Sequence, residues 1–165
     1  MISTLTLQTI VKVYDHDYEL SKEDFDLLQV AKAVCQQAYA PYSNFFVGAA
    51  ILLEDGTVVK GNNQENVAYP SGLCAERTTI YYTGANYPNT IIRKIAVAAY
   101  QPLFSHYVPA NPCGACRQAM LEYENKQKQA IQIILEGENN KIYLLDSIAS
   151  LLPLHFKAKN LGILE

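Results

Sequence analysis

The chain has 165 residues, of which 50% are hydrophobic and 18% charged, and its formal net charge is −3. This length predicts one domain with a sizeable core and excludes a catalytic domain joined to a separate binding domain. With 13 Lys and Arg against 16 Asp and Glu, and no basic run longer than two residues, the charge pattern argues against a nucleic-acid partner and favours a small-molecule one.

The sequence also lacks the signals of a membrane or secreted protein. No stretch approaches the roughly 18 apolar residues of a membrane span. The first ten residues contain neither the basic start nor the apolar run of a secretory signal. We therefore expect no membrane partner and a cytoplasmic location.

Residues 1–20 are predicted to be an N-terminal extension, and residues 21–165 the catalytic domain. Within the extension, apolar side chains alternate with polar ones at Leu5, Leu7, Val11 and Val13. This period of two predicts a half-buried extra strand. A partly ordered tail explains the same residues.

The first helix is predicted to begin after Ser21 and to end before Pro41. Ser21 with Asp24 is a typical N-terminal capping pair, and apolar residues recur at helical spacing after it. Cys35 lies on that apolar stripe. It is therefore interpreted as a small buried hydrophobic residue and not as a metal ligand.

The following segments alternate between strand and helix patterns. Apolar runs predict strands over 45–53, 57–60, 91–100, 131–135 and 142–145, and Glu54-Asp55-Gly56 is a hairpin turn between the first two. Helical spacing predicts helices over 73–82 and 113–124 and a last helical turn over 147–152. Interleaved strands and helices indicate a layered α/β domain.

The segment Pro112-Cys113-Gly114-Ala115-Cys116-Arg117 is the strongest local motif. Proline favours the first turn of a helix, and cysteines three positions apart then lie on one helical face, where the helix dipole stabilises thiolates. A CxxC pair serves either as metal ligands or as a redox couple, and this motif alone leaves both possible, with metal favoured.

A second motif, Cys74-Ala75-Glu76-Arg77, follows Pro70-Ser71-Gly72 and also stands at the start of a predicted helix. Cys74 can supply a third thiolate. Three protein ligands leave one zinc position open for water, which is typical of catalytic sites, whereas structural sites use four ligands. Glu76 can serve as the proton shuttle beside that water, or it can be an ordinary exposed helix carboxylate.

Three thiolates on zinc require a compensating positive charge. They leave the site with a net charge of about −1, which weakens the metal as a Lewis acid. Arg77 and Arg117 are adjacent to the candidate ligands and are predicted to tune this charge. The alternative is that both are ordinary surface arginines.

Several motifs together resemble the free-nucleoside cytidine deaminases, and they occur in the family's order. They are Ala40-Pro41-Tyr42-Ser43-Asn44-Phe45, Val47-Gly48-Ala49-Ala50, Gly61-Asn62-Asn63-Gln64-Glu65-Asn66, Tyr69-Pro70-Ser71-Gly72-Leu73 and the two cysteine motifs. The resemblance covers roughly residues 21–156 and implies a three-layer α/β/α fold with a mixed five-stranded sheet. It implies Zn²⁺ on Cys74, Cys113 and Cys116, with Glu76 as the catalytic acid and base.

The resemblance also implies a set of substrate-binding residues. Phe45 would lie beside the pyrimidine, although its position equally suits a core strand residue. Asn63 and Glu65 would bind the sugar 3′-hydroxyl, and without the resemblance they would be read as loop polar residues. The amide of Ala75 and the carbonyl of Asn111 would contact the base edge.

The expected reaction is hydrolytic deamination of cytidine and 2′-deoxycytidine in pyrimidine salvage, because no residue in this set reads the 2′-hydroxyl. The family's compact form implies a homotetramer with Phe156 near a neighbouring site, although Lys157-Ala158 stand where the family commonly has Gly-Pro. Three alternatives remain at this point: deamination of another amino-heterocycle, a purely structural zinc module, and a nucleic-acid editor.

Overall fold

In the computed structural model, which describes residues 2–104 and 106–162, seven strands form one mixed sheet. They are β1 (Lys12–Tyr14), β2 (Phe46–Leu53), β3 (Val58–Asn62), β4 (Ile92–Tyr100), β5 (Tyr107–Val108), β6 (Gln132–Glu136) and β7 (Ile142–Leu145). The order across the sheet is β1-β7-β6-β4-β2-β3, and β5 pairs with β4. Strands β4 and β6 are parallel, whereas the other pairs are antiparallel. The five predicted strands are confirmed, and β1 and β5 extend the sheet.

Helices cover both faces of this sheet. They are α1 (Lys22–Cys35), α2 (Ala75–Asn86) and α3 (Gly114–Gln127). Alternate residues of β2 belong to different cores: Ile51 packs in the cluster that contains α2 and α3, and Leu52 packs in the cluster that contains α1. The predicted three-layer α/β/α class is therefore confirmed. Within the ranges that the structure describes, none of the helices has the length and apolar character needed to span a membrane.

Helix α1 begins and packs as its sequence predicts. The Ser21 hydroxyl accepts a hydrogen bond from the amide of Asp24 at 3.2 Å. Gly48 of β2 allows close approach of the helix, because a Cβ there would lie 2.1 Å from the carbonyl oxygen of Ala31. Cys35 is fully buried, and its thiol lies 3.1 Å from the carbonyl oxygen of Ala98, as expected for a structural cysteine.

The segment after β7 forms a short helical turn, Ile148–Leu151, which confirms the predicted last turn. The buried carboxylate of Glu124 on α3 accepts hydrogen bonds from the amides of Ile148 at 2.8 Å and Ala149 at 3.1 Å. This contact fixes the turn against α3.

The N-terminal extension contributes one short strand. Of the described residues 2–20, only Lys12–Tyr14 pairs with β7, and Lys12 forms an ion pair with Asp146 at 2.8 Å. The predicted half-burial is wrong, because Leu5 is 74% exposed and Val13 is 52% exposed. The strand lies at the sheet edge, where Tyr14 packs against the margin of the α1 core cluster and the side chains before it stay exposed.

Candidate metal centre and active site

The candidate residues converge at one end of the sheet. The register pairs Phe46 with Tyr100 and Gly48 with Asn62, so β2 begins where β3 and β4 end. The loop after β3 leads into α2, and the chain after β5 leads into α3. Both helices therefore begin near this end of the sheet, and residues distant in sequence meet there.

The three candidate ligand sulfurs form one cluster. Cys74 and Cys113 are the N-cap residues of α2 and α3, and Cys116 lies in the first turn of α3. The Sγ atoms of Cys74 and Cys113 are 4.0 Å apart, and those of Cys113 and Cys116 are 3.5 Å apart. All three lie within 4.8 Å of one another. Two helix N-termini thus present unpaired amides and positive dipole ends to the sulfurs.

This cluster fits zinc. Tetrahedral Zn–S bonds of about 2.3 Å place sulfurs about 3.8 Å apart, close to the observed separations. Among the described residues, no second group of three or more His, Cys, Asp or Glu side chains meets in this way, and Cys35 lies in the opposite core. The site therefore offers three thiolates and one open position, the arrangement of a catalytic zinc.

The sulfurs share protons unequally. The pKa of the Cys74 thiol is lowered to about 5, first by a hydrogen bond from Cys116 and then by Arg77, whose Nη2 lies 3.9 Å from the sulfur. The pKa of Cys116 is raised, because its thiol donates to Cys74 and is buried. One thiolate is therefore favoured before a metal binds, and Arg77 offsets its charge.

Arg117 has different partners from Arg77. Its Nε donates to the carbonyl of Pro112 and its Nη1 to the carbonyl of Leu151, both at 2.8 Å. Within the described part of the chain, its guanidinium makes no hydrogen bond to a ligand sulfur. The predicted role of balancing the charge of the metal site is therefore supported by a contact of Arg77 with Cys74. Among the described residues, Arg117 makes no such contact.

Glu76 faces the sulfur cluster from the first turn of α2. Its side chain lines the cavity described below, yet the residue is only 6% exposed. Burial raises the pKa of its carboxyl, and the negative charge of Cys74 adds to that effect, whereas a hydrogen bond from Cys116 opposes it. Glu76 is thus not an ordinary exposed helix carboxylate.

A cavity of about 770 Å³ opens in front of this cluster. Its volume lies within the range of small-molecule sites, about 300–1,000 Å³. Seven of the predicted site residues other than the arginines line it: Phe45, Asn63, Glu65, Cys74, Glu76, Asn111 and Cys113. Arg77 lines it as well, whereas Ala75, Cys116 and Arg117 are not among its lining residues.

The two polar residues after β3 are held by the neighbouring loop. The Asn63 amide accepts from the amide of Val47 at 2.8 Å and donates to the carbonyl of Phe45 at 2.9 Å. The Glu65 carboxylate accepts from the amide of Tyr42 at 2.9 Å and from the hydroxyl of Ser43. Sequence reasoning gave Ser43 no role, although it belongs to a motif noted above.

Comparisons with known proteins agree with this geometry. Residues 21–132 match the family model described as "Cytidine and deoxycytidylate deaminase zinc-binding region". A cytidine deaminase of Sporosarcina psychrophila is 36% identical over 136 residues, which is 82% of this chain and 93% of the relative. The crystal structure of a cytidine deaminase from Burkholderia pseudomallei is similar with a TM-score of 0.67 and 36% identity, covering 83% of this chain and 100% of that one. For the Mycobacterium tuberculosis cytidine deaminase structure the TM-score is 0.58 at 32% identity, with 80% and 95% covered. The chain therefore belongs to the family of cytidine and deoxycytidylate deaminases that share this zinc-binding region, and it is a zinc-dependent hydrolytic enzyme.

Proposed function

We propose that this enzyme hydrolyses the 4-amino group of cytidine and 2′-deoxycytidine, giving uridine, 2′-deoxyuridine and ammonia. The observation that carries the proposal is the buried Glu76 carboxyl, which faces three clustered sulfurs and borders a cavity of nucleoside size. The family membership and the cytidine deaminases among the relatives support the same reaction.

The chemistry divides between the metal and Glu76. When bound by Cys74, Cys113 and Cys116, zinc supplies a Lewis acid that acidifies and orients a water molecule. Glu76 accepts a proton from this water as its oxygen attacks C4 of the base. The same carboxyl passes that proton to N3, then accepts a second proton from the new C4 hydroxyl and delivers it to the amino group, which leaves as ammonia when the C4–N bond breaks. Its burial keeps bulk water from competing for these transfers.

The base is recognised by backbone groups that are free to bind. Among the described residues, the carbonyl of Asn111 accepts no hydrogen bond and the amide of Ala75 donates none. A free acceptor suits the 4-amino group of cytosine, and a free donor suits a ring carbonyl. Phe45, partly buried at the cavity wall, packs beside the ring.

The sugar is bound by Asn63 and Glu65 through its 3′-hydroxyl. Asn63 keeps a second amide hydrogen, and Glu65 keeps carboxylate lone pairs beyond its contacts with the Tyr42–Ser43 loop. Neither residue selects for a 2′-hydroxyl, so both sugars are accepted. Arg77 is the one basic residue among those that line the cavity in the described chain, and it already contacts Cys74. A 5′-phosphate therefore lacks a basic partner, which favours nucleosides over nucleotides.

The enzyme acts in cytoplasmic pyrimidine salvage as a homotetramer. This part of the proposal is supported by the resemblance to the compact family form. Tyr42 and Tyr69, which are 47% and 74% exposed and lie edge to face at 6.0 Å, offer aromatic surface beside the cavity. Light scattering of the purified protein gives the assembly mass directly, and a monomer would remove the tetramer from the proposal.

The first experiment incubates the zinc-loaded protein with cytidine and follows the loss of cytosine ultraviolet absorbance. Glu76→Gln keeps the side-chain shape but not the proton transfer, so we expect turnover to fall at least about a hundredfold with zinc content unchanged. Glu122→Gln, an exposed glutamate on α3, is the matched control and should retain full activity. If the parent leaves cytidine intact but deaminates another amino-heterocycle, the nucleoside assignment is wrong. If no substrate reacts, a structural zinc is favoured.

A further inference from the structure

Arg117 joins two backbone segments that are far apart in sequence. Its Nε and Nη1 donate to the carbonyls of Pro112 and Leu151, each at 2.8 Å. Its own amide donates to the carbonyl of Cys113 at 3.0 Å. The planar guanidinium holds two acceptors in a fixed relative geometry, which an ammonium group cannot do.

A hydrogen bond to the Pro112 carbonyl restrains the local backbone conformation more than most such bonds do. The peptide bonds of the described residues are all trans, and the proline ring fixes the φ of Pro112. A residue before proline is restricted to extended conformations, so Asn111 has little freedom either. The ψ of Pro112 is therefore the main soft torsion between the Asn111 carbonyl and the backbone of Cys113. That torsion sets the direction of the carbonyl that Arg117 holds.

The two ends of this short segment both face the substrate cavity. Asn111 and Cys113 line it, whereas Pro112 between them is buried. The position of the Asn111 carbonyl relative to the Cys113 sulfur thus depends on one torsion and one hydrogen bond. The Leu151 contact fixes the other end of the guanidinium, and Glu124 in turn holds the helical turn that contains Leu151.

We propose that Arg117 is a positioning residue for substrate discrimination, which locks the Asn111 carbonyl at the correct distance from the zinc ligands. The inference rests on the proposed function, in which this carbonyl accepts a hydrogen bond from the 4-amino group of cytosine. Uridine has no amino group and cannot donate to this carbonyl, so its binding gains nothing from the contact. Arg117 therefore strengthens binding of the amino substrate relative to the oxo product.

The test compares the two nucleosides without turnover. Dissociation constants of cytidine and uridine are measured by calorimetry in a zinc-loaded Glu76→Gln background, with and without Arg117→Ala. We expect cytidine to bind about 10- to 100-fold more weakly, since the loss of one buried hydrogen bond commonly costs that much affinity. Uridine affinity should change by less than about threefold, and zinc content should stay at one per chain.

Two further variants separate positioning from general structural support. Arg117→Lys retains the charge but can reach only one carbonyl, so it should restore part of the cytidine preference, and it also serves if the alanine variant folds poorly. Arg93→Ala, which breaks a partly exposed pair with Glu23 of α1, should leave the cytidine-to-uridine affinity ratio unchanged. An equal loss for both nucleosides, or loss of zinc from both Arg117 variants, would overturn the proposal. A parent that binds both nucleosides but never deaminates cytidine would instead contradict the proposed function.

Discussion

Replacing Arg77 by alanine tests how the negative charge of the metal site is balanced. The guanidinium Nη2 lies 3.9 Å from the Cys74 sulfur, and the Nε of the same side chain is buried without a hydrogen-bond partner among the described residues. Three thiolates and one Zn²⁺ carry a net charge of about −1. In Arg77→Ala, no guanidinium balances this negative charge. We therefore expect weaker zinc binding.

The magnitude follows from the distance. Two unit charges about 4 Å apart interact by about 4 kcal/mol at an effective dielectric constant of about 20. Water and the two helix dipoles replace part of this interaction, because Arg77 is only partly buried. We therefore expect a loss of about 10- to 100-fold in zinc affinity, or about 1.4–2.8 kcal/mol, as is usual for residues that support metal ligands.

The loss of zinc affinity in Arg77→Ala should depend on pH in a defined direction. Zinc binds the thiolate, so a proton on Cys74 competes with the metal. Arg77 is the second cause, after the Cys116 thiol, that lowers the pKa of Cys74 to about 5, and its removal must raise that pKa. The affinity loss should be largest near about pH 6 and should shrink toward about pH 9, where the thiol ionises without help.

The assay is competition for zinc with a chromophoric chelator across this pH range. Arg77→Lys keeps the charge without the planar fork and should give an intermediate affinity. Arg93→Ala is again the matched control and should not change zinc affinity. Equal affinities of parent and Arg77→Ala at low pH, or a loss that grows as pH rises, would refute this electrostatic role.

Three other substitutions test the surroundings of the site. Cys35→Ala should leave one zinc per chain, measured by metal analysis, because Cys35 is buried in the core opposite the sulfur cluster; loss of zinc would contradict this. Gly48→Ala should lower the free energy of unfolding by about 1–3 kcal/mol in urea, since its Cβ would meet the Ala31 carbonyl; an unchanged midpoint would mean that α1 moves freely. Asn63→Ala should lower the same free energy by about 1–3 kcal/mol and raise the KM for cytidine, and a change in stability alone would remove its sugar contact.

Most of the fold could be predicted from segments with a strong hydrophobic period. The five predicted strands formed, and the Ser21 cap marked the start of α1 within one residue. Strand β5 was missed, because Tyr107–Val108 is too short for a period of two to be recognised. Helix α2 continues to Asn86, four residues beyond its predicted end, since the tyrosines and the glycine in its second half conceal the apolar spacing.

In the N-terminal extension, the alternation of apolar and polar residues led to a wrong prediction of burial. Such alternation shows that a strand can have an apolar face, but not that another element covers that face. Leu7 has the period of a half-buried strand and is 51% exposed. Burial depends on the helical layers, and α1 covers the sheet only as far as Tyr14 at the edge of its core cluster. A local pattern contains no information on where a distant helix ends.

Cysteines and short acidic side chains could be placed from the sequence, whereas the partners of long side chains could not. Cys113 and Cys116 are fixed by the helix start and by their spacing of three, so the backbone alone brings their sulfurs together. Glu76 lies two residues after Cys74, in the first turn of α2, which keeps its carboxyl close to the sulfur cluster. The clamp on Glu65 by Ser43 depends on a loop 22 residues earlier, which no local spacing indicates.

The two arginines show why chain position alone does not assign a role. Arg77 stands three residues after the N-cap Cys74, one helical turn along the same face, and its guanidinium returns to that sulfur. Arg117 stands four residues after the N-cap Cys113, which is equally on the same face, yet it bonds two carbonyls. The difference arises from the Leu151 turn, which offers Arg117 a second acceptor that its own helix cannot provide. Among the described residues the two arginines share no hydrogen-bond partner. We therefore expect Arg77 to affect metal affinity and Arg117 to affect base recognition, and measuring zinc binding and nucleoside discrimination in the same variants separates the two effects.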